Sequence, residues 1–518
     1  MPATPTLWDL VARRAARTPD APALIQGAES ARHERRITFG ALCARAERVA
    51  AGLYERGVRP GSRVVWQLPT RIETVLFSLA LARLGAVQSP VVPLYRDHEV
   101  DQVLRRTRAA FFAVPGTWRG VDHTAMARRL APGLPGPLTV IEAYDTLPDG
   151  DPAVLPAPPA DGDAVRWIYW TSGTTAAPRG VLHTDHSLLT AGGRLAEALR
   201  IEPSDVGSMA FPYAHVAGPD YTVMLLLHGI PAVLLEHFAL PGSLAAYRRH
   251  RVTLAGGSTA FYTLFLAEQR KLPPGRRLLP SLRLLAGGGA PRPPELYHEV
   301  VAELGCQLAH GYAMTEAPMV TMGDPSDHPA HLAATDGRPP DGMEIRIAPG
   351  SGEILLRGPA VCRGYLGEPD PFDADGFLPT GDLGYLTDTG HLVVTGRLKD
   401  IIIRKGENIS AQEIEGLLHR HPDVADAAVI GLPDPERGER VCAVVEQPPG
   451  AGELTLASVA AYLRARGLAP HKLPEQLEVL PALPRGATLR KVLKGELRER
   501  FAGGKRQDPR AAVRTHRP

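Results

Sequence analysis

Through about residue 390, short apolar runs alternate with stretches whose apolar positions recur at helical spacing. Ser62-Arg-Val-Val-Trp-Gln67 reads as a strand, Ile72 to Leu84 as a helix, and Val87-Gln-Ser-Pro-Val-Val92 as a second strand. Val165-Arg-Trp-Ile-Tyr169 has the continuous apolar character of a buried strand, and a helical pattern runs from about Ser187 to Leu199. Strands alternating with helices imply βαβ units and a mostly parallel sheet covered on both faces. The predicted class is α/β, with a large N-terminal domain of mixed, mainly parallel sheets and flanking helices. Asp145 to Asp163, rich in Pro, Asp and Ala, reads as a surface connection, and no repeat of 20 to 50 residues is visible.

Near residue 397 the pattern changes. Short strands, His391-Leu-Val-Val-Thr395 and Ile401-Ile-Ile403, flank Gly396-Arg-Leu-Lys-Asp400. A helix at about Ala411 to Arg420, a strand at Ala425 to Gly431 and a helix from Leu456 to Gly467 follow. This predicts residues 1–398 as one domain, 399–502 as a small mobile α+β domain, and 503–518 as a disordered basic tail nearly devoid of apolar side chains.

Two apolar stretches look long enough to question solubility. Thr74 to Val92 is broken by Arg83, and Tyr221 to Leu235 by His228 and Pro231, so neither reaches the roughly 18 apolar residues of a membrane span. The N-terminus has no apolar core of a signal peptide. Cys43, Cys306, Cys362 and Cys442 are scattered with no C-x-x-C pair, which argues against a disulfide framework or a zinc site and fits reduced, cytoplasmic thiols. A net charge of +2 gives no reason to invoke nucleic acid.

Chemistry concentrates after the strand ending near Trp170. Thr171-Ser-Gly-Thr-Thr-Ala-Ala-Pro-Arg-Gly180 holds four hydroxyls, two glycines and one cation. Such a turn exposes backbone N–H groups in a nest that attracts phosphate, although a Ser/Thr/Gly run alone is commonly a surface loop. The spacing is not that of a Walker loop. The segment resembles the phosphate-binding signature of the adenylate-forming superfamily, which includes acyl-CoA synthetases, aryl-acid ligases and the adenylation domains of peptide synthetases. Ala176 stands where glycine is usual and Arg179 where lysine is usual; Arg keeps the charge and adds bidentate geometry.

Four further segments match that superfamily in order. Gly287-Gly-Gly-Ala-Pro291 follows an apolar run; its glycines allow a flat adenine to approach the backbone. Gly311-Tyr-Ala-Met-Thr-Glu316 has the Tyr and Thr-Glu of a second element, a pair that would otherwise suggest a helix cap. Thr380-Gly-Asp-Leu-Gly384 and Gly396-Arg-Leu-Lys-Asp400 form the third, and Pro484-Arg-Gly-Ala-Thr-Leu-Arg-Lys-Val-Leu-Lys494 the fourth.

The resemblance implies a role for each residue. Thr171, Ser172, Gly173, Thr174, Thr175 and Arg179 hold the leaving phosphates of ATP. Gly288, Gly289, Ala290, Pro291 and Tyr312 take adenine, Thr315 the α-phosphate, and Glu316 Mg²⁺, a hard cation suited to oxygen ligands. Asp382 and Arg397 take the ribose, Lys399 is the hinge, and Gly406 lines a pantetheine tunnel. Lys491 is the catalytic lysine, with Lys494 a competing candidate because Arg490 replaces the usual glycine and the loop has one extra residue. Arg404 and Lys405 are candidates for CoA phosphates, or solvated cations.

The acid side resembles a P-x-x-H-x-x-G element in Phe211-Pro-Tyr-Ala-His-Val-Ala-Gly218, with His215 as its histidine. Val216 can pair neither an α-ammonium nor a phenolic hydroxyl, and an unpaired ammonium in an apolar pocket costs several kcal/mol. Val216, Ala217, Phe261, Gly287 and Gly311 are therefore the expected pocket, for an alkanoic, alicyclic or simple aromatic acid. The run from Thr174 to Asp185 is similar to the cyclohexanecarboxylate-CoA ligase branch. Expected is an AMP-forming ligase using ATP, Mg²⁺ and CoA. The alternatives are a stand-alone adenylating enzyme that loads a separate acyl carrier protein or an amine, and an impaired nucleotide-binding homologue.

Overall fold

The computed structural model describes residues 4–27, 34–171, 178–289, 292–404, 407–435, 437–486 and 492–502. The chain divides into two compact units: Met1–Ile345 with Leu356–Leu378 and Thr387–Leu392, and Arg346–Leu355 with Pro379–Leu386 and Val393–Pro518.

In the first unit, six strands lie in the order Arg179–Thr184, Val165–Thr171, Val87–Pro90, Arg63–Trp66, Phe111–Val114, Thr139–Glu142. All pairs are parallel except the first, which is an antiparallel hairpin. The helix Ile72–Leu84 is buried at every position, which explains why its sequence is apolar all round. It is a core helix, and none of the described helices is long and apolar enough to cross a membrane. Its two charged residues are paired: Glu73 with Arg35 and Arg71, Arg83 with Glu47. Gly85 closes it at φ +67°, a conformation only glycine adopts without strain.

A second sheet of the unit orders Gly207–Met209, Ala232–Leu234, Pro22–Gln26 and Arg35–Thr38. A third is wholly parallel and runs Leu254–Gly257, Leu284–Gly288, Gln307–Gly311.

A fourth sheet runs Glu344–Ile347, Glu353–Arg357, Leu378–Leu386, Leu392–Arg397, and the next lies wholly in the second unit. A further sheet orders Glu407–Ser410, Ile401–Arg404, Gly438–Glu446 and Asp426–Asp434, with Gln476–Leu480 beside Gly438–Glu446. Its central strands are apolar on both faces. Val429, Val441, Ala443 and Val445 meet the helices Ala411–Leu418 and Leu456–Ala465, while Ala428, Ile430, Cys442 and Val444 meet Leu497 of the helix Lys494–Phe501. Period-two alternation with both faces covered produces the continuous apolar runs seen in the sequence.

Candidate active site

The phosphate segment joins two strands that pair antiparallel. The sequence pattern predicts a loop between a strand and a helix; a second strand, Arg179–Thr184, precedes the helix Asp185–Ala198. Thr171 stands opposite Arg179 in the register, so the stem fixes both ends of the loop. Ser172, Gly173, Thr174 and Thr175 lie outside the described residues. Gly180 permits the close packing at the stem: a Cβ there would lie 3.0 Å from Ile168 and 3.2 Å from Leu366. The segment Arg363 to Leu366 runs alongside, exchanging backbone hydrogen bonds with Gly180 and Leu182 at 2.7 to 2.9 Å.

That neighbouring segment carries Tyr365, whose hydroxyl donates to Oε1 of Glu316 at 2.9 Å. Burial, and then the Glu316 charge, push the Tyr365 phenol well up, so it stays a proton donor. Thr315 and Glu316 form the tip of a tight turn closed by reciprocal Met314–Ala317 backbone bonds of 3.0 Å, not a helix cap. Behind the turn, the Glu316 carbonyl accepts from Cys362 N–H at 2.8 Å, and the Thr315 carbonyl accepts from Nε2 of His183 at 2.8 Å. His183 is fully buried, and burial lowers its pKa to about 4. Its Nε2 must carry the proton, leaving Nδ1, 2.9 Å from the Ser187 hydroxyl, as the acceptor. Tyr312 precedes the turn with its N–H on Oγ1 of Thr321 at 3.1 Å.

The third sheet ends in glycine on every strand. A Cβ on Gly287 would lie 2.7 Å from the Gly257 carbonyl and from the Tyr262 hydroxyl, and one on Gly288 would lie 2.2 Å from the Gly311 carbonyl. Side chains are excluded there by the strands themselves, so the carboxyl edge presents bare backbone, where parallel sheets accept ligands. Gly289 continues at φ +81°; Ala290 and Pro291 lie outside the described residues.

Gly311 closes one end of that edge and Gly257 the other. The rings of Phe261 and Phe211 both approach the Gly257 face, 3.6 and 3.7 Å from the point a Cβ would occupy. Phe238 meets Phe261 edge to face with centroids 5.2 Å apart, extending the apolar wall. Thr70 pins Phe211 to Tyr213, accepting from Tyr213 N–H and donating to the Phe211 carbonyl, each at 2.9 Å. His215 follows in a turn, its carbonyl accepting from Gly218 N–H at 2.8 Å and its Nδ1 from Ala217 N–H at 3.3 Å. Val216 is buried and Ala217 half-buried at the start of the helix Ala217–His228.

In the second unit, Arg397 Nε lies 2.8 Å from Oδ1 of Asp382, joining the two expected ribose contacts. Lys399 sits in the turn Leu398–Asp400, its pKa lowered by burial and by Arg397. Lys494 is committed elsewhere: its Nζ lies 2.7 Å from Glu415 and 3.7 Å from Asp400. Burial raises the Glu415 pKa, and that carboxyl receives Lys494 as its cation. Arg404 likewise is bidentate on Glu475, at 3.0 Å twice, rather than solvated. Lys491, Lys405 and Gly406 lie outside the described residues, as does the 503–518 tail.

Tyr365, His183, Glu368 and Phe238 carry no signal in the sequence. They match no short motif, and only the fold brings them to the others. Hydroxyl hairpin, Thr-Glu turn and glycine-edged sheet together have the character of a nucleotide site. The chain belongs to the AMP-binding enzyme family, whose model matches residues 11–366, with the AMP-binding enzyme C-terminal domain matching 413–489. It is 31% identical over 495 residues to medium-chain fatty-acid–CoA ligase of Escherichia coli, covering 90% of this chain and 86% of that one. It is 33% identical over 503 residues to salicyl-AMP ligase / salicyl-S-ArCP synthetase of Mycobacterium tuberculosis, covering 92% and 88%. Among solved structures, ATP-bound MatB from Rhodopseudomonas palustris superposes with a TM-score of 0.84 at 28% identity, over 96% of this chain and 99% of that one.

Proposed function

We propose that the chain is an AMP-forming acid–thiol ligase acting on an apolar carboxylic acid. A carboxylate oxygen of the acid attacks the α-phosphorus of ATP, forming the acyl-adenylate and expelling pyrophosphate. The sulfur of CoA then attacks the acyl carbon, forming the thioester and releasing AMP. The observation that carries this reading is the buried Glu316 carboxylate, 8% exposed, set at the tip of a rigid turn with Tyr365 orienting it. A carboxylate oxygen held in this way suits a hard cation such as Mg²⁺.

No cluster of three or more His, Cys, Asp or Glu that could hold a metal exists among the described residues. Glu316, an oxygen donor, fits a hard cation such as Mg²⁺, whose remaining ligands would come from phosphate and water. Bound there, Mg²⁺ supplies charge neutralisation for the triphosphate. Thr315 positions the α-phosphate, Tyr312 and the Gly287–Gly289 edge receive adenine, and Asp382 with Arg397 holds ribose. Thr171, the hairpin loop and Arg179 grip the leaving pyrophosphate. Lys491 neutralises charge between carboxylate and α-phosphate, a reading supported by the engagement of its rival Lys494 with Glu415 and Asp400.

Val216, Ala217, Phe211 and Phe261 form the apolar pocket wall, and no carboxylate stands among them to pair an ammonium. Residues 399–502 turn about Lys399 between the two half-reactions. Four free thiols, three of them buried, support a cytoplasmic location. A second reading, transfer to a separate carrier protein, is supported by the likeness to a salicyl-S-ArCP synthetase. Pyrophosphate exchange across a panel of carboxylic acids, repeated with CoA and with carrier protein, tests both. Alkanoic or aromatic acids should drive exchange and amino acids should not; exchange with amino acids alone overturns the assignment.

A further inference from the structure

Arg179 leaves the phosphate hairpin with its charge already matched. Its Nε and Nη2 both reach Oε2 of Glu368, at 2.8 and 2.7 Å, and its guanidinium carbon lies 3.5 Å from the centre of the Tyr365 ring. The other oxygen, Oε1, accepts from Nη2 of Arg106 at 3.1 Å. Arg106 also donates through Nη1 to the Pro178 carbonyl at 2.5 Å and stands 6.0 Å from the Trp170 ring. It thus touches both ends of the hairpin loop. One carboxylate bridges two guanidinium groups at the base of the loop.

We propose that Glu368 is a resident anion that occupies Arg179 and Arg106 until a nucleotide phosphate displaces it, and so sets the affinity for ATP and pyrophosphate. This rests on the ligase reading, in which the hairpin receives the leaving phosphates. A phosphate brings more charge and a third oxygen to the same fork geometry, so it competes well against one carboxylate. The resident pair is easily exchanged because it is wet: the side chains of Arg179, Arg106 and Glu368 are 43, 28 and 25% exposed. Partly exposed ion pairs are weakly held. Glu368 also lines a cleft of about 450 Å³, with Arg363 and Asp370, so a displaced carboxylate has water to enter.

Tyr365 makes the exchange orderly. Its ring face holds the guanidinium by a cation–π contact that does not depend on the anion. Its hydroxyl is tied to Glu316. The guanidinium is therefore held in place while its anion changes, and Glu368 alone has to turn. Glu368 is in this scheme a positioning residue, acting through Arg179.

The test is direct titration of the full chain with Mg²⁺-ATP and with pyrophosphate, without acid or thiol, in the parent and in Glu368→Gln. The glutamine keeps the shape and removes the charge. Both ligands should bind the variant about two- to fivefold more tightly, the range of one partly exposed ion pair. KM for ATP should fall by a like factor. In an Arg179→Met background the Glu368→Gln gain should shrink to the part owed to Arg106. Equal or weaker affinity in Glu368→Gln, at the parent's melting temperature, overturns the proposal. So does an undiminished gain in the Arg179→Met background. Failure of the parent to bind ATP at all would instead overturn the ligase reading beneath it.

Discussion

The Tyr365 hydroxyl donates to Oε1 of Glu316 across 49 residues of sequence, and the same tyrosine runs beside the phosphate hairpin through the Val181–Tyr365 bridge. The carboxylate proposed to hold Mg²⁺ and the strand that ends the phosphate loop are thus braced by one side chain. Its rotation is set before any ligand arrives, which removes an ordering cost from the bound state.

Tyr365→Phe keeps the ring under Arg179 and deletes only the donor. A hydrogen bond to a charged group contributes about 1.5–3 kcal/mol, so half-saturating Mg²⁺ for pyrophosphate exchange should rise about tenfold or more. A Mg²⁺ titration identical to the parent's would remove Tyr365 from the metal site.

His183 gives a prediction in pH. Its folded pKa is lowered to about 4 by burial, whereas the unfolded chain titrates near 6.5. Between these values the unfolded state binds the extra proton, so the stability His183 contributes is full above pH 6.5 and lost as pH falls towards 4. The parent's melting temperature should therefore drop more steeply over that window than that of His183→Gln, which retains an N–H for the Thr315 carbonyl. Parallel curves would show that His183 is not held neutral.

Lys491→Ala should slow adenylation about 10²–10³-fold, as loss of one transition-state contact does, while leaving transfer from supplied acyl-adenylate intact. Lys494→Ala leaves Glu415 buried without its cation, so its signature should be a lowered melting temperature. The assignment fails if Lys494→Ala abolishes exchange in a well-folded protein and Lys491→Ala does not.

Lys399→Pro fixes φ near −65° in the turn Leu398–Asp400. Pyrophosphate exchange should persist while thioester formation collapses. Equal losses in both half-reactions would dismiss the hinge.

The parts of the site legible in the sequence are those made by contiguous residues. The hydroxyl run, the Thr-Glu pair and the Gly287–Gly289 edge are local strings, and Ile72–Leu84 is legible as a mainly apolar stretch of helical length. Tyr365, His183 and Glu368 were illegible because each acts across the fold: His183 reaches Thr315 over 132 residues, and Arg179 reaches Glu368 over 189. The second strand of the hairpin was missed for another reason. Arg179–Thr184 is short and flows directly into the helix Asp185–Ala198, so its pattern merges with the helical one. Nothing local in the sequence places Glu415 beside Lys494.

The small sheet of the second unit is clothed on both sides by its own helices, with Leu497 closing one side and Val459 and Leu463 the other. Such a body is dry inside by itself. A turn of this body about Lys399, as proposed, would bare none of these interior side chains to water. In the proposed two-step reaction the packing of this body would not have to be broken and remade between the half-reactions.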